Sequence, residues 1–213
     1  PLMGDESATQ SALILPKTDD ESSFYIFTTN STANTNGLYY TSLHIENGFD
    51  IVIDELNTLL SGNVTEKITT ALHEDGNAIW LITHQANDNI FNTYLTKSNG
   101  IDLPVTSVVG SQHSSNIGQM KVSPNGKRLA VAMQSNKAFE IFDFNAATGI
   151  ISNSNLITVD NFPYGVEFSP DATKVYGTAN KTLYQIDLEA ENLEAKIIHS
   201  QAQLPSNNNL CNS

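Results

Sequence analysis

The sequence predicts an all-β fold, a β-propeller of four-stranded blades, and three observations carry that prediction. First, the turn Ser123-Pro124-Asn125-Gly126 returns 46 residues later as Ser169-Pro170-Asp171-Ala172. Second, four short apolar runs centred near residues 25, 80, 130 and 176 follow one another at intervals of roughly 46 to 55 residues, close to the ~40 to 50 of a propeller blade. Third, no sustained apolar stripe with helical period is present, although 52–60 and 188–197 each have room for short helical turns.

Taken in order, Ser11 to Pro16 reads as the inner strand of a first unit, ended by Pro16. The second strands are 23–28, 78–83, 128–133 and 174–178, each rich in the residues that fit a pleated, buried surface. Turns precede three of them, at Glu74 to Asn77, Pro124 to Lys127 and Pro170 to Thr173, where Pro sets φ and Asn, Asp or Gly accepts the tight conformation after it. The strands before those turns are 68–72, 119–122 and 165–168, and the third strands are 39–43, 91–95, 139–143 and 183–187. Glycine-containing turns at Gly48, Gly100 and Gly149 lead to outer strands 49–53, 105–109 and 155–159, with 195–199 closing the fourth unit. The blades therefore run over about 8–60, 64–110, 117–160 and 164–200, within a single propeller domain, 1–213, or part of one, and 201–213 is a polar tail. Four blades sit at the lower limit of ~4 to 8 for closure, so further blades are expected from sequence beyond this chain or from another chain.

Composition narrows the partners. A formal charge of -13 repels nucleic-acid backbones and anionic membrane surfaces. No apolar run approaches the ~20 residues of a membrane span. The single cysteine, Cys211, can form no disulfide within the chain and builds no thiolate zinc cluster.

Candidate chemistry is sparse. His84 ends a strand and precedes Asn87-Asp88-Asn89, so an imidazole there has the position of an acid, a base or a ligand-binding group, although it reads first as a hydrogen-bonded strand-end histidine. Asn87, Asp88 and Asn89 offer oxygens of the kind a calcium ion takes, without the spacing of an EF-hand loop, and read first as a solvated turn. Asp19, Asp20 and Glu21 read as a solvated turn too, as do Asp187, Glu189 and Glu191. No Gly-x-Ser-x-Gly nucleophile elbow is present. No catalytic residue, metal site or cofactor is assigned on this basis, and Trp80 is expected between neighbouring sheets.

Several stretches together resemble one family: 7–16, Phe24-Tyr25-Ile26-Phe27-Thr28, Val64-Thr65-Glu66-Lys67-Ile68, Ile79-Trp80-Leu81-Ile82-Thr83-His84, Val122-Ser123-Pro124-Asn125-Gly126-Lys127 and Tyr164-Gly165-Val166-Glu167-Phe168-Ser169-Pro170. As a set they are similar to the propeller domains of secreted and cell-surface proteins of Bacteroidota associated with gliding motility. The resemblance implies export by the type IX route, an extracellular or outer-surface location, adhesive modules beside the propeller, and no catalytic residues to carry over. The sequence-based expectation is accordingly a binding or scaffolding module for a protein or glycan ligand at the propeller loops, and not an enzyme. The alternative is a propeller enzyme of lactonase type with its site at the central axis.

Overall fold

The computed structural model describes residues 1–31 and 37–200, which form seventeen strands and, among the described residues, no helix. Residues 32–36 and the tail 201–213, with Cys211 in it, lie outside the described residues. Blade one comprises β1 (Ala12–Lys17), β2 (Asp20–Thr29), β3 (Leu38–Glu46) and β4 (Asp50–Ser61). Blade two holds β5 (Ile68–Leu72), β6 (Ile79–His84), β7 (Ile90–Lys97), β8 (Gly100–Ile101) and β9 (Val105–Val108). Blade three holds β10 (Met120–Val122), β11 (Arg128–Met133), β12 (Ala138–Phe144) and β13 (Ile151–Thr158). Blade four holds β14 (Pro163–Phe168), β15 (Lys174–Ala179), β16 (Thr182–Asp187) and β17 (Ala195–Ser200).

Each blade is an antiparallel meander in sequence order, the arrangement of a propeller blade. In blade two, β8 and β9 both pair with β7, so two short strands share the outer position. Pro104, which lacks an N–H, stands between them.

The repeated turn works as its residues suggest. Ser123 Oγ accepts the backbone N–H of Lys127 and Arg128 and donates to Asn125 Oδ1, and Gly126 takes φ +68°. In blade four Ser169 Oγ accepts Lys174 N–H and donates to Asp171 Oδ1, with Ala172 at φ +58° in the place of Gly126. In blade two His73 stands where the serines do, and Gly76 takes φ +76°.

Three expectations are corrected. Residues 52–60 are no helical turn: β4 is one long strand whose bulges, with Asn57 at φ +55°, break the alternation. The segment 188–197 is a turn followed by β17. Pro16 does not end β1 but lies inside it opposite Phe24, where an inner edge strand has no second neighbour to need its N–H.

The blades pack face to face through three apolar interfaces. Leu15, Tyr25 and Phe27 of blade one meet Ile68, Leu81 and Tyr94 of blade two. Trp80, Ile82 and Phe91 meet Met120, Leu129 and Phe142 of blade three, with the Phe91 and Phe142 rings edge to face at 5.0 Å. Trp80 is buried there and its indole N–H donates to Ala146 O at 2.8 Å. Phe139 and Ile141 meet Val175, Tyr184 and Ile186 of blade four. Gly177 lets Phe139 lie on the blade-four backbone: a Cβ there would stand 2.3 Å from the ring. Burying one such side chain contributes about 1.5 to 3 kcal/mol.

Candidate functional site

The innermost strands β1, β5, β10 and β14 begin at one end of the blades, and the segments leading into them gather there. Residues 62–67 lead into β5 and carry Glu66 and Lys67; residues 109–119 lead into β10 and carry His113 and Asn116. Thr9 and Gln10 lead into β1. Hydrogen bonds lace these segments together across blades. Glu66 Oε2 accepts both the backbone N–H and the hydroxyl of Thr9, each at 2.7 Å. The same hydroxyl accepts Gly118 N–H at 3.3 Å. The Gln10 amide pairs with both backbone groups of Met120, donating at 3.2 Å and accepting at 3.0 Å, so a side chain from before blade one completes the inner strand of blade three. Gly118 has φ +118°, and a Cβ there would lie 2.2 Å from Ala132 O, so only glycine fits this crossing.

Beneath the lacing lies a buried basic group. Lys67 is fully buried, and its ammonium donates to the carbonyls of Asn116 (2.8 Å), Ile117 (3.0 Å) and Ser115 (3.4 Å). Burial pulls Lys67 down to about 7, with the Glu66 charge acting the other way. The three carbonyls, which accept hydrogen bonds only, also favour the ammonium.

Beside it, His84 and His113 stack with ring centroids 3.5 Å apart and planes 11° from parallel. Phe91 closes on His84 edge-on at 4.5 Å. Both rings are buried, and their four nitrogens have no hydrogen-bond partner among the described residues. Burial first, then the Lys67 charge, holds His84 down to about 3. Burial, His84 and Lys67 together keep His113 well below the usual histidine range. Two parallel rings at this spacing do not converge their nitrogen lone pairs on one point, and no group of three or more His, Cys, Asp or Glu suited to a metal ion occurs among the described residues.

The sequence candidates separate here. His84 is at the site but enclosed. The loop of Asn87, Asp88 and Asn89 clasps the 109–113 segment from outside: Asn87 O accepts Gln112 Nε2 at 2.7 Å, Asp88 O accepts His113 N–H at 3.0 Å, and Asn89 O accepts Val109 N–H at 3.0 Å. Asp88 Oδ1 accepts Asn89 N–H at 2.8 Å. These are the bonds of a structural turn. Glu66, Lys67 and His113 escaped the sequence reading. The available signal was a Glu-Lys pair running straight into an inner strand.

At the opposite end, a cleft of about 740 Å³ opens between blades two and three, with Leu15, Leu72, Val122 and Phe144 as its apolar walls and His73 and Lys127 near its mouth. His73 is occupied at both nitrogens, with Nδ1 2.8 Å from Asp75 Oδ1 of its own turn and Nε2 3.1 Å from Ala147 O of blade three.

No family model matches the chain, and no curated protein does. Solved structures do. A periplasmic gluconolactonase of Pseudomonas aeruginosa superposes with a TM-score of 0.58 at 12% identity, covering 91% of this chain and 58% of its own. A protein of Desulfotomaculum acetoxidans of unknown function gives 0.56 at 13% identity, covering 89% and 55%. A provisionally assigned 6-phosphogluconolactonase of Bacteroides uniformis gives 0.52 at 14%, covering 88% and 70%. The chain thus has a propeller-like fold and spans little more than half the length of the first two. The expectation of a non-enzymatic module is corrected by this finding, since propellers described as lactone-cleaving enzymes share its arrangement over about nine tenths of its length.

Proposed function

We propose that residues 1–213 form part of a single propeller enzyme of lactonase type, hydrolysing the cyclic ester of a sugar acid at the loop end of the inner strands. The observation that carries this reading is the convergence there of Glu66 and Lys67 from the segment leading into blade two, His113 from the segment leading into blade three and His84 from the end of β6, under a lacing that ties these segments together. Structural likeness to propellers described as gluconolactonases supports it.

Lactone hydrolysis needs a base to activate water and a positive field to stabilise the developing oxyanion. Glu66 is the carboxylate of this end, oriented by two bonds from Thr9. Lys67, held by three carbonyls, supplies a positive charge next to it in a poorly solvated place, and because burial pulls it down to about 7 that charge is complete only on the acid side of neutrality. The histidine pair is enclosed and neutral and acts through position, packing the floor under both. Further blades complete the ring and the remaining wall of the site.

The test is hydrolysis of glucono-δ-lactone and 6-phosphogluconolactone by the natural protein, followed by pH-stat. The expected result is turnover above the spontaneous rate, with Glu66→Gln lowering kcat by about 10²-fold or more while the melting temperature moves little. Absence of turnover on both lactones, or full activity in the variant, overturns the reading. An extracellular location by type IX export belongs to the same proposal, and fractionation of the native cells tests it.

A further inference from the structure

We infer, resting on the lactonase reading, that Tyr164 and Gln119 form the seat for the sugar part of the substrate, Tyr164 as the face on which the ring stacks and Gln119 as the amide that holds its hydroxyls. The segment 159–162 leads into β14 at the same end as the laced segments and sets Tyr164 beside them. Strand register singles this residue out. Pro163 stands opposite Ala179 and Gly165 opposite Thr178, so Tyr164 is the extra residue of a β-bulge. A bulge takes its residue out of the pleat and re-aims the side chain. Val166 and Phe168, further along β14, enter the interface with blade three, whereas Tyr164 packs in none of the three apolar interfaces and is 45% exposed. Phe162 is exposed to the same degree, but the Lys137 ammonium lies 4.9 Å over its ring. Among the described residues no ring or cation covers Tyr164, and its hydroxyl has no hydrogen-bond partner.

A single exposed aromatic is ordinary. This one is held firmly and has a polar companion. Tyr164 O accepts Gln119 N–H at 2.7 Å, Gly165 N–H donates to Thr178 Oγ1 at 3.2 Å, and Asn161 Nδ2 donates to Thr182 Oγ1 and Tyr184 Oη. A Cβ at Gly165 would lie 2.8 Å from Thr178 Oγ1 and 3.3 Å from Gln119 Oε1, which places the Gln119 amide against the bulge. Both backbone groups of Gln119 are bonded, the N–H to Tyr164 and the carbonyl to Ala132 N–H at 2.9 Å, while its side-chain amide has no partner among the described residues. Gln119 follows Gly118, whose N–H donates to Thr9 Oγ1, and Thr9 in turn holds Glu66. The aromatic face and the free amide thus adjoin the lacing that orients the carboxylate. A sugar lactone presents an apolar C–H face and a rim of hydroxyls. The face suits an aromatic ring, and the rim suits an amide with two donors and an acceptor oxygen. Groups fixed before the ligand arrives lose little freedom on binding it.

The experiment compares the natural protein with Tyr164→Ala, Tyr164→Phe and Gln119→Met in hydrolysis of glucono-δ-lactone and of δ-valerolactone, which has the same ester ring without hydroxyls. Gluconate titrations, read on the Tyr164 ring protons by NMR, report binding without turnover. Tyr164→Ala should raise KM for glucono-δ-lactone about 10-fold with kcat little changed, and Tyr164→Phe should stay near the natural value. Gln119→Met should raise KM for glucono-δ-lactone and leave δ-valerolactone unaffected, and gluconate should shift the Tyr164 ring signals. An unchanged KM in Tyr164→Ala, equal losses in Tyr164→Ala and Tyr164→Phe, or turnover with the ring signals unmoved by gluconate overturns the seat while leaving hydrolysis standing. Gluconate-dependent shifts of the ring without turnover of either lactone sustain the seat and overturn the lactonase reading alone.

Discussion

Acid should weaken this fold through one buried pair. His84 and His113 are neutral, stacked and enclosed beside Lys67, so their folded pKa values lie below the ordinary value of 6.5, His84 at about 3. An unfolded chain protonates both below about pH 6.5, whereas the folded chain does not, so the unfolded state binds more protons and stability falls as pH drops. The slope is about 1.4 kcal/mol per pH unit for each histidine, or about 2.7 for the pair. The slope is half developed at pH 6.5 and reaches its limit about one unit lower, so the interval from pH 6.5 to 5 amounts to about 3 kcal/mol, a large share of a typical total of ~5 to 15 kcal/mol. Lys67 adds no slope here, because the cost of its lowered pKa is already complete below about 7 and is relieved only as pH rises toward 10.5. His44 acts in the opposite sense. Its pKa is raised by Glu46 and Asp54, so it favours the folded state at low pH and loses that contribution as pH rises through its folded value. Urea unfolding at pH 7, 6 and 5 gives the slope directly, for the native chain and for the double variant His84→Met with His113→Met. His44 is common to both proteins and cancels in the comparison. The native chain should lose several kcal/mol more than the variant between pH 6.5 and 5, and parallel lines would refute the reasoning.

Three further outcomes are expected. Lys67→Met leaves the carbonyls of Ser115, Asn116 and Ile117 without their donor and should cost about 2 to 4 kcal/mol, a fall of roughly 5 to 15 °C in Tm by calorimetry. Gly177→Ala drives a methyl to within 2.3 Å of the Phe139 ring and should cost about 1 to 3 kcal/mol of overpacking in the same assay. Gly126→Val meets only Ala146 Cβ, at an ordinary 3.9 Å, but must hold φ +68°, so it should lose about 1 to 2 kcal/mol, whereas Ala172→Gly, relieving φ +58° at the equivalent turn, should gain a few tenths to about 1 kcal/mol in urea denaturation.

What the sequence made legible was local. Ser123 and Ser169 announce their hairpins because the hydroxyl, the Asn or Asp two residues on and the αL position after it form one self-contained set of bonds. The short apolar runs of β6 and β11, buried on both faces, did the same for the strands. β4 was harder, because Asn57 and the bulges shift its pleat partway along and a register change looks like loss of pattern. The site was mostly hidden for a different reason. His84 and His113 meet only because Asp88 O anchors the His113 backbone, and Lys67 acquires its partners from the segment leading into the next blade. Neither relation has a sequence period.

Binding of the product locates the reaction on the molecule. Backbone NMR of the ¹⁵N-labelled protein titrated with gluconate should shift Thr9, Gln10, Glu66, Gly118 and Gln119 together, all at the loop end of the inner strands. Shifts confined to His73, Val122, Asn125 and Lys127 around the 740 Å³ cleft at the opposite end would contradict it.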